Sequence, residues 1–397
     1  MKGRLVTVSS ILVKNGRIET MSELGMIEGD ILVIGGKIAK IGQNLEAPID
    51  AQVIDAEGHI VTPGLIDAHS HIGMIESAIG FEGSDVNEAT APNTSIVRGI
   101  DGFNPRDITI MEALAGGVTA AATGPGSANV LGGTFFAVKL FGDCVDEMII
   151  QDPIAMKCAF GENPKRVYSS QKKMPSTRMG TAAILREALV QAQNYMRKME
   201  QAEAESKPAP DRDLKHESLI PVLRREMPLK AHAHRADDIF TAIRIAREFD
   251  IDITLDHCTE GHLIADRVAA SGFPAIVGPS FGHRSKFELS DKTFETVAAL
   301  VQAGAKVAIC TDSPVVPLQS LPLMAGMAIN EGLDPHDALK TITINPAEII
   351  GIADRVGSLA EGKDADIVIW NTSPFAVDAK PLWVLVDGKP VAGTMLK

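Results

Sequence analysis

Cysteine is scarce and poorly placed for pairing. Cys144, Cys158, Cys258 and Cys310 are widely separated and form no Cys-x-x-Cys pair, which excludes a disulfide framework and a thiolate zinc site. Free, buried thiols in a reducing cytosol are the expectation. Positive charge is not in excess: 38 Lys and Arg stand against 51 Asp and Glu, for a net charge of -13. That is the wrong sign for a phosphate backbone, so no nucleic-acid partner is expected. Long apolar runs are absent as well, none reaching about 18 residues. The amino-terminal stretch MKGRLVTVSSILVKNGRIE carries Lys and Arg inside its apolar part, which fits neither a signal peptide nor a membrane span. A cytoplasmic protein without a membrane partner is expected. No Gly-x-Ser-x-Gly elbow and no papain-like or caspase-like cysteine signature appears, which argues against a nucleophilic side chain. The glycine-rich GPGSANVLGG at 124–133 lacks the endings of a P-loop and of a dinucleotide turn, and reads as a loop beside a site.

What is present is an ordinary globular composition, 45% hydrophobic and 22% charged, in 397 residues. A barrel of about 250 residues leaves roughly a hundred for an accessory module. Residues 4–61 read as short Val- and Ile-rich strands punctuated by Asn15-Gly16 and Gly35-Gly36. From about 62 to 348, short apolar strands (GVTAAAT, PIAMKCAF, PLKAHAH, DITLDH, PAIVGP, KVAICT) alternate with amphipathic helices such as 241–249 and 292–304. This pattern predicts an α/β fold, a (β/α)8 TIM barrel, with an open doubly wound sheet as the alternative. The tail from Arg355 returns to β texture, with Asp387-Gly388 as a hairpin turn. We therefore expect residues 1–61 and 349–397 to pair as one discontinuous β-sandwich domain around a catalytic barrel at 62–348. The charged stretch 196–218 reads as a solvated helix end and a loop broken by Pro208 and Pro210.

The chemistry-bearing residues sit at strand ends. His69 and His71 close the apolar run IVTPGLIDAH, and residues two apart on a strand face one side. His232 follows MPLKA and His257 ends DIDITLDH. One such histidine is an ordinary surface or packing residue. Four at three strand ends suit a divalent metal such as zinc, with carboxylate oxygen completing the set. Asp312 ends KVAICTD, where an anion needs solvent, a partner or a metal. It is either a ligand and general base or the cap of a helix beginning at TDSP. Arg166, Tyr168 and Arg178 fall in the stretch after Glu162, where guanidinium groups would suit a substrate carboxylate; a solvated loop is the competing reading. His283 in PSFGHRSKFE could orient a carbonyl or a leaving group.

Taken together, GHIVTPGLIDAHSH, the two later strand-end histidines, the TD at 311–312 and the tail NPAEIIGI…VGSLAEGKDADIVIW resemble the amidohydrolase superfamily, notably its imidazolonepropionase-related and dipeptidase-like members. The likeness covers nearly the whole chain. It implies a cytoplasmic enzyme with one or two divalent metal ions, zinc being the expected one. His69 and His71 would hold the more buried ion, His232 and His257 a second, and Asp312 would serve as ligand and base. At KAHAH the resemblance favours His232 as ligand and leaves His234 a supporting or substrate role. Two-metal members bridge their ions with a glutamate or a carboxylated lysine, and PIAMKCAFGENPKR offers both: Glu162, the preferred candidate, and Lys157. The implied reaction is hydrolysis of a C–N bond in an amide, cyclic amide or dipeptide-like small molecule by metal-bound hydroxide. A deaminase of heterocyclic amines and a noncatalytic scaffold are the alternatives, and a homo-oligomer is left open.

Overall fold

The computed structural model describes residues 10–396. The first part of the expected LVTVSSILV strand, residues 5–9, lies outside them. Five strands open the described chain: β1 (Ser10–Glu19), β2 (Met26–Ile34), β3 (Lys37–Gly42), β4 (Gln52–Asp55) and β5 (Ile60–Pro63). The barrel strands follow: β6 (Leu65–Ser70), β7 (Val118–Thr123), β8 (Leu131–Lys139), β9 (Ile149–Ala159), β10 (Leu229–Ala233), β11 (Ile253–His257), β12 (Ala275–Val277) and β13 (Val307–Ile309). Three more close the chain: β14 (Ile367–Trp370), β15 (Pro381–Val386) and β16 (Lys389–Ala392).

Strands β6 to β13 form one eight-stranded sheet in chain order, curled so that its first and last strands nearly meet. Hydrogen bonds cross that gap: the Asp312 N–H reaches the His69 carbonyl at 3.2 Å, and the His71 N–H reaches the Ser313 carbonyl at 2.7 Å. Continuous apolar runs such as Val118–Thr123 are buried along their whole length, as a sheet covered on both faces requires. The covering helices are amphipathic. Ala236–Phe249 buries Ile239, Ala242, Ile243 and Ala246 on one side, and it ends at Asp250 in a left-handed conformation. The charged stretch behaves as read, with its first part ending the long helix Arg178–Ala204.

One strand departs from the expected repeat: β8 runs antiparallel to both β7 and β9. A parallel return needs a crossover of a dozen or more residues. Only residues 124–130 separate β7 from β8, and only 140–148 separate β8 from β9, so the glycine-rich segment makes a hairpin instead of a strand–helix step. The fold is thus a nearly closed eight-stranded α/β barrel with one inverted strand.

The terminal segments build a second eight-stranded sheet, in the order β16-β15-β14-β5-β1-β2-β3 with β4 paired to β1. Its two halves join where β14 pairs antiparallel with β5, from Ile367 opposite Pro63 to Trp370 opposite Ile60. Both ends of the chain share one core, in which Ile11, Val13, Ile31 and Val61 pack with Leu359, Ile367 and Leu385. A buried ion cluster ties this sheet to the barrel: Lys139 of β8 meets Asp364 at 2.8 Å, Asp366 at 3.0 Å and also Asp387. Among the described residues no helix is long and apolar enough to cross a membrane.

Candidate metal centre

The strands deliver their terminal polar residues to one end of the barrel. Two groups form there, each with ligand-type atoms within 4.8 Å of one another: His69, His71 and Asp312, and His232, His234 and His257. They adjoin, since the rings of His69 and His257 lie 4.9 Å apart and those of His232 and His257 4.4 Å apart. The chain bends sharply to aim these groups. His257 (φ 70°), Cys258 (φ 46°) and Asp312 (φ 53°) all occupy the left-handed region, which costs a non-glycine residue on the order of 1–3 kcal/mol.

Hydrogen bonds fix which edge of each ring faces inward. His71 Nδ1 lies 2.7 Å from the Gly124 carbonyl and His257 Nδ1 lies 2.7 Å from the Gly278 carbonyl. A carbonyl only accepts, so both Nδ1 atoms carry a proton, and the neutral His257 ring leaves its Nε2 bare. His69 Nδ1 donates in the same way to Asp256 Oδ2 at 2.8 Å. Their Nε2 edges turn inward: His71 Nε2 and His69 Nε2 lie 3.2 Å and 3.4 Å from Asp312 Oδ1, and His69 Nε2 also lies 3.4 Å from Lys157 Nζ. His232 contributes an Nδ1 that is buried with no hydrogen-bond partner among the described residues. A buried polar atom without a partner is costly, and a cation would supply one. The donor set of neutral imidazoles and a carboxylate, oriented by partners on their far sides, fits a divalent metal.

The charge states agree with this. Burial, reinforced by Lys157 and Lys230, pushes the His69 pKa down, and burial holds His257 down to about 3. Burial also carries His232 and His234 well below the ordinary histidine value, so all four imidazoles are neutral. Burial alone would raise Asp312. His257 and the contacts to His69 and His71 outweigh it and hold the carboxyl well below its usual range. Asp256 is fully buried and likewise stays ionised, because Lys230 at 3.4 Å, His69 and Lys157 offset its burial. Asp67 takes the Thr311 N–H (2.8 Å) and hydroxyl (2.6 Å) on one oxygen, and burial raises it to about 6.

Of the two candidate bridging residues, the structure places Lys157 beside the ligand groups and Glu162 outside them. Gly161, at φ 76°, turns the chain out of β9, and Glu162 becomes the half-buried first residue of the helix Glu162–Ser170, outside both ligand groups. Lys157 points into the barrel, with Nζ 3.4 Å from His69 Nε2 and 3.8 Å from Asp256 Oδ2, and burial lowers it to about 8. The residues expected around the substrate are also dispersed. The Tyr168 hydroxyl is buried between the Ala91 carbonyl and Asn129 Oδ1, 2.6 Å from each. Arg178 pairs through Nε with both oxygens of the buried Asp238 at 3.0 Å. Arg166 and His283 are exposed. Of the thiols, Cys158, Cys258 and Cys310 are free and buried as expected, whereas Cys144 is free and exposed.

Several residues at the centre were not singled out from sequence. Lys230 and Asp256 carried a usable signal, being ionisable residues inside strands otherwise too apolar to hold them. Glu288 carried none: it follows the solvated-looking GHRSK, yet it is buried, 3.7 Å from His234 Nε2 and 3.9 Å from His232 Nε2.

Comparison with known proteins agrees with this architecture. The model of the Amidohydrolase family matches residues 60–396. A solved structure of an amidohydrolase from Thermotoga maritima is 46% identical and superposes with a TM-score of 0.93, over 96% of this chain and 99% of that one. An amidohydrolase named tasK from Hapsidospora irregularis is 32% identical over 91% of this chain, which spans only 39% of that relative's length. An imidazolonepropionase from Geobacillus kaustophilus is 29% identical over 90% of this chain and 87% of its own. The chain belongs to the amidohydrolase family, a class of metal-dependent hydrolases that act on C–N bonds.

Proposed function

We propose that the protein hydrolyses a C–N bond in a small amide, with cyclic amides and dipeptide-like molecules as the substrate class. The observation that carries this reading is the convergence of His71 Nε2, 3.2 Å from Asp312 Oδ1, with four further buried, neutral histidines. His69, His71 and Asp312 would hold one divalent cation, and His232 and His257 a second. Lys157, if carboxylated, would supply a further ligand at this centre, a role for which Glu162 is the other candidate. Bound there, zinc would lower the pKa of water and polarise a carbonyl oxygen. The chain's own part is proton traffic. Asp312, ionised at neutral pH, accepts a proton from water and returns it to the leaving nitrogen. Asp256 keeps the proton on His69 Nδ1, so that Nε2 stays free. The named imidazolonepropionase relative supports the cyclic-amide end of the class. We assign the barrel at 62–348 as the catalytic domain, and 1–61 with 349–397 as a composite β-sandwich domain.

Elemental analysis of the purified chain, followed by a panel of cyclic amides, dipeptides and heterocyclic amines on the same sample, tests the reading. One or two zinc ions per chain with amide cleavage is the expected result. Release of ammonia from heterocyclic amines alone would make the protein a deaminase. Bound metal with no turnover on any panel member would make it a scaffold.

A further inference from the structure

The segment between β12 and β13 closes on itself. The rings of Phe281 and Phe294 meet at its neck, with centroids 5.0 Å apart, so the residues between them form a compact loop whose ends touch. At its centre sits a cation supplied by the chain. Lys292 Nζ donates to the carbonyls of Phe281 and Gly282 at 2.7 Å each and to that of His283 at 3.4 Å, while Arg284 donates to the Lys292 carbonyl at 3.1 Å. Gly282, at φ 86°, makes the turn that aims neighbouring carbonyls at one point. Residues 282–285 are exposed, so apolar packing contributes little there. Charge-assisted hydrogen bonds are the strong ones, and here they set the shape of the loop.

Three consecutive residues fasten the far side of this loop to other elements. Lys286 Nζ donates to Asn163 Oδ1 at 3.0 Å, the Phe287 ring lies 5.7 Å from the Arg235 guanidinium, and Glu288 Oε2 accepts the Glu162 N–H at 2.9 Å. A Cβ on Gly161 would come within 2.7 Å of that same oxygen, so the turn after β9 is shaped to admit the carboxylate. Strands β9, β10, β11 and β12 are neighbours in that order. A loop that leaves β12 and is anchored past the ends of β10 and β9 must cross the histidines at the ends of β10 and β11. Asn163, one of its anchors, has Nδ2 3.4 Å from His232 Nε2.

We infer that Lys292 is a positioning residue: as a cation built into the chain, it holds residues 281–292 in the closed shape that lets 286–288 fasten past β9 and β10, so that the segment straps the group His232, His234 and His257 and sets how fast that group takes up and releases what it binds. The inference rests on the reading that these histidines hold a divalent cation. Lids of this kind govern rates of entry and exit without supplying a ligand.

Hydrogen exchange on the full, zinc-free chain tests the shape. Lys292→Met keeps a long side chain and removes its donors. Amides of residues 282–290 should then exchange about tenfold to a hundredfold faster than in the wild type, with the barrel strands unchanged. Lys292→Arg should restore most of the protection. Unchanged exchange in Lys292→Met overturns the inference. Zinc kinetics, followed with a chromophoric chelator, test the strap. Lys292→Met should release zinc about tenfold faster and take it up faster by a similar factor, keeping an affinity within about threefold of wild type. A merely structural loss would weaken affinity or spread fast exchange into the barrel strands, and either result overturns the inference, as do wild-type rates of release and uptake. Phe287→Ala loosens one fastening, leaves the ring of carbonyls intact, and covers the case of a Lys292→Met chain that does not fold. It should speed release and uptake together at unchanged affinity, and wild-type rates there defeat the strap in the same way. A wild-type chain that takes up no zinc defeats both this inference and the reading beneath it, whereas wild-type uptake with unaltered rates in the variants defeats this one alone.

Discussion

Two buried polar clusters lie against this barrel, and they are completed in opposite ways. Around Lys139 every charge finds its opposite within the chain, because the ammonium sits among Asp364, Asp366 and Asp387, and Asp364 also takes Lys37 and, at 2.8 Å, Arg355. At the barrel mouth, His69, His71 and Asp312 turn acceptors toward one another. A cluster that holds two sheets together pairs its charges, leaving one oxygen of Asp366 without a hydrogen-bond partner among the described residues. A cluster built to receive a guest leaves them open, and the left-handed backbone at His257 and Asp312 is found beside the second kind.

Removing one group from each cluster should break that contrast most sharply. Asp312→Asn is expected to lower kcat by at least 10²–10⁴-fold, the usual reach of general acid–base catalysis, while the circular dichroism spectrum stays native. Retained turnover would exclude Asp312 as the base. Lys139→Met should do the reverse. Stranding buried carboxylates costs about 3–5 kcal/mol, visible in urea denaturation, while zinc uptake per folded chain is unchanged. Equal loss of zinc uptake in both variants would erase the distinction between the clusters.

Acid sharpens the comparison further. His257 is depressed by burial from 6.5 to about 3, so between those values the unfolded chain binds a proton that the folded chain refuses, and stability falls as pH falls. His69, His232 and His234 are depressed in the same direction. Asp67 opposes them: raised from 3.8 to about 6, it binds its proton earlier in the folded chain and adds stability as pH falls through that window. Four histidines outweigh one carboxyl, so the zinc-stripped protein should melt at lower temperature at pH 4.5 than at pH 7.5. A midpoint that does not move with pH would show that the centre is not buried in solution. The smallest effect concerns Tyr168. Losing a hydroxyl held at 2.6 Å by two acceptors should cost about 1–2 kcal/mol in Tyr168→Phe, with KM unchanged. A raised KM without lost stability would return Tyr168 to the substrate.

Much of the centre was legible because position alone selects it. Histidines that end apolar strands must emerge at the barrel rim, which is how His69, His71, His232 and His257 were found. The β pairing of the two chain ends was legible from their texture and from the turn glycines. The inversion of β8 was not, since an apolar run reads alike in either direction and only the short connections at 124–130 and 140–148 betray it. From sequence, Glu162 is preferred for its charge and its place just beyond the strand, with Lys157 kept as the alternative. Burial lowers Lys157 to about 8 against the pull of Asp256, and the strand places its Nζ 3.4 Å from His69 Nε2. For Arg178 and Tyr168, read as candidate substrate contacts, sequence could not show the internal partners, Asp238, Asn129 and the Ala91 carbonyl, that the structure gives them.

The hydrogen bonds from Asp312 to His69 and from His71 to Ser313 carry one more consequence. They lie along the seam where the rolled sheet meets itself, and the same residues supply the proposed ligands. An ion held there would act as a rivet through the seam, so losing it would loosen the cylinder along that edge as well as silence the chemistry.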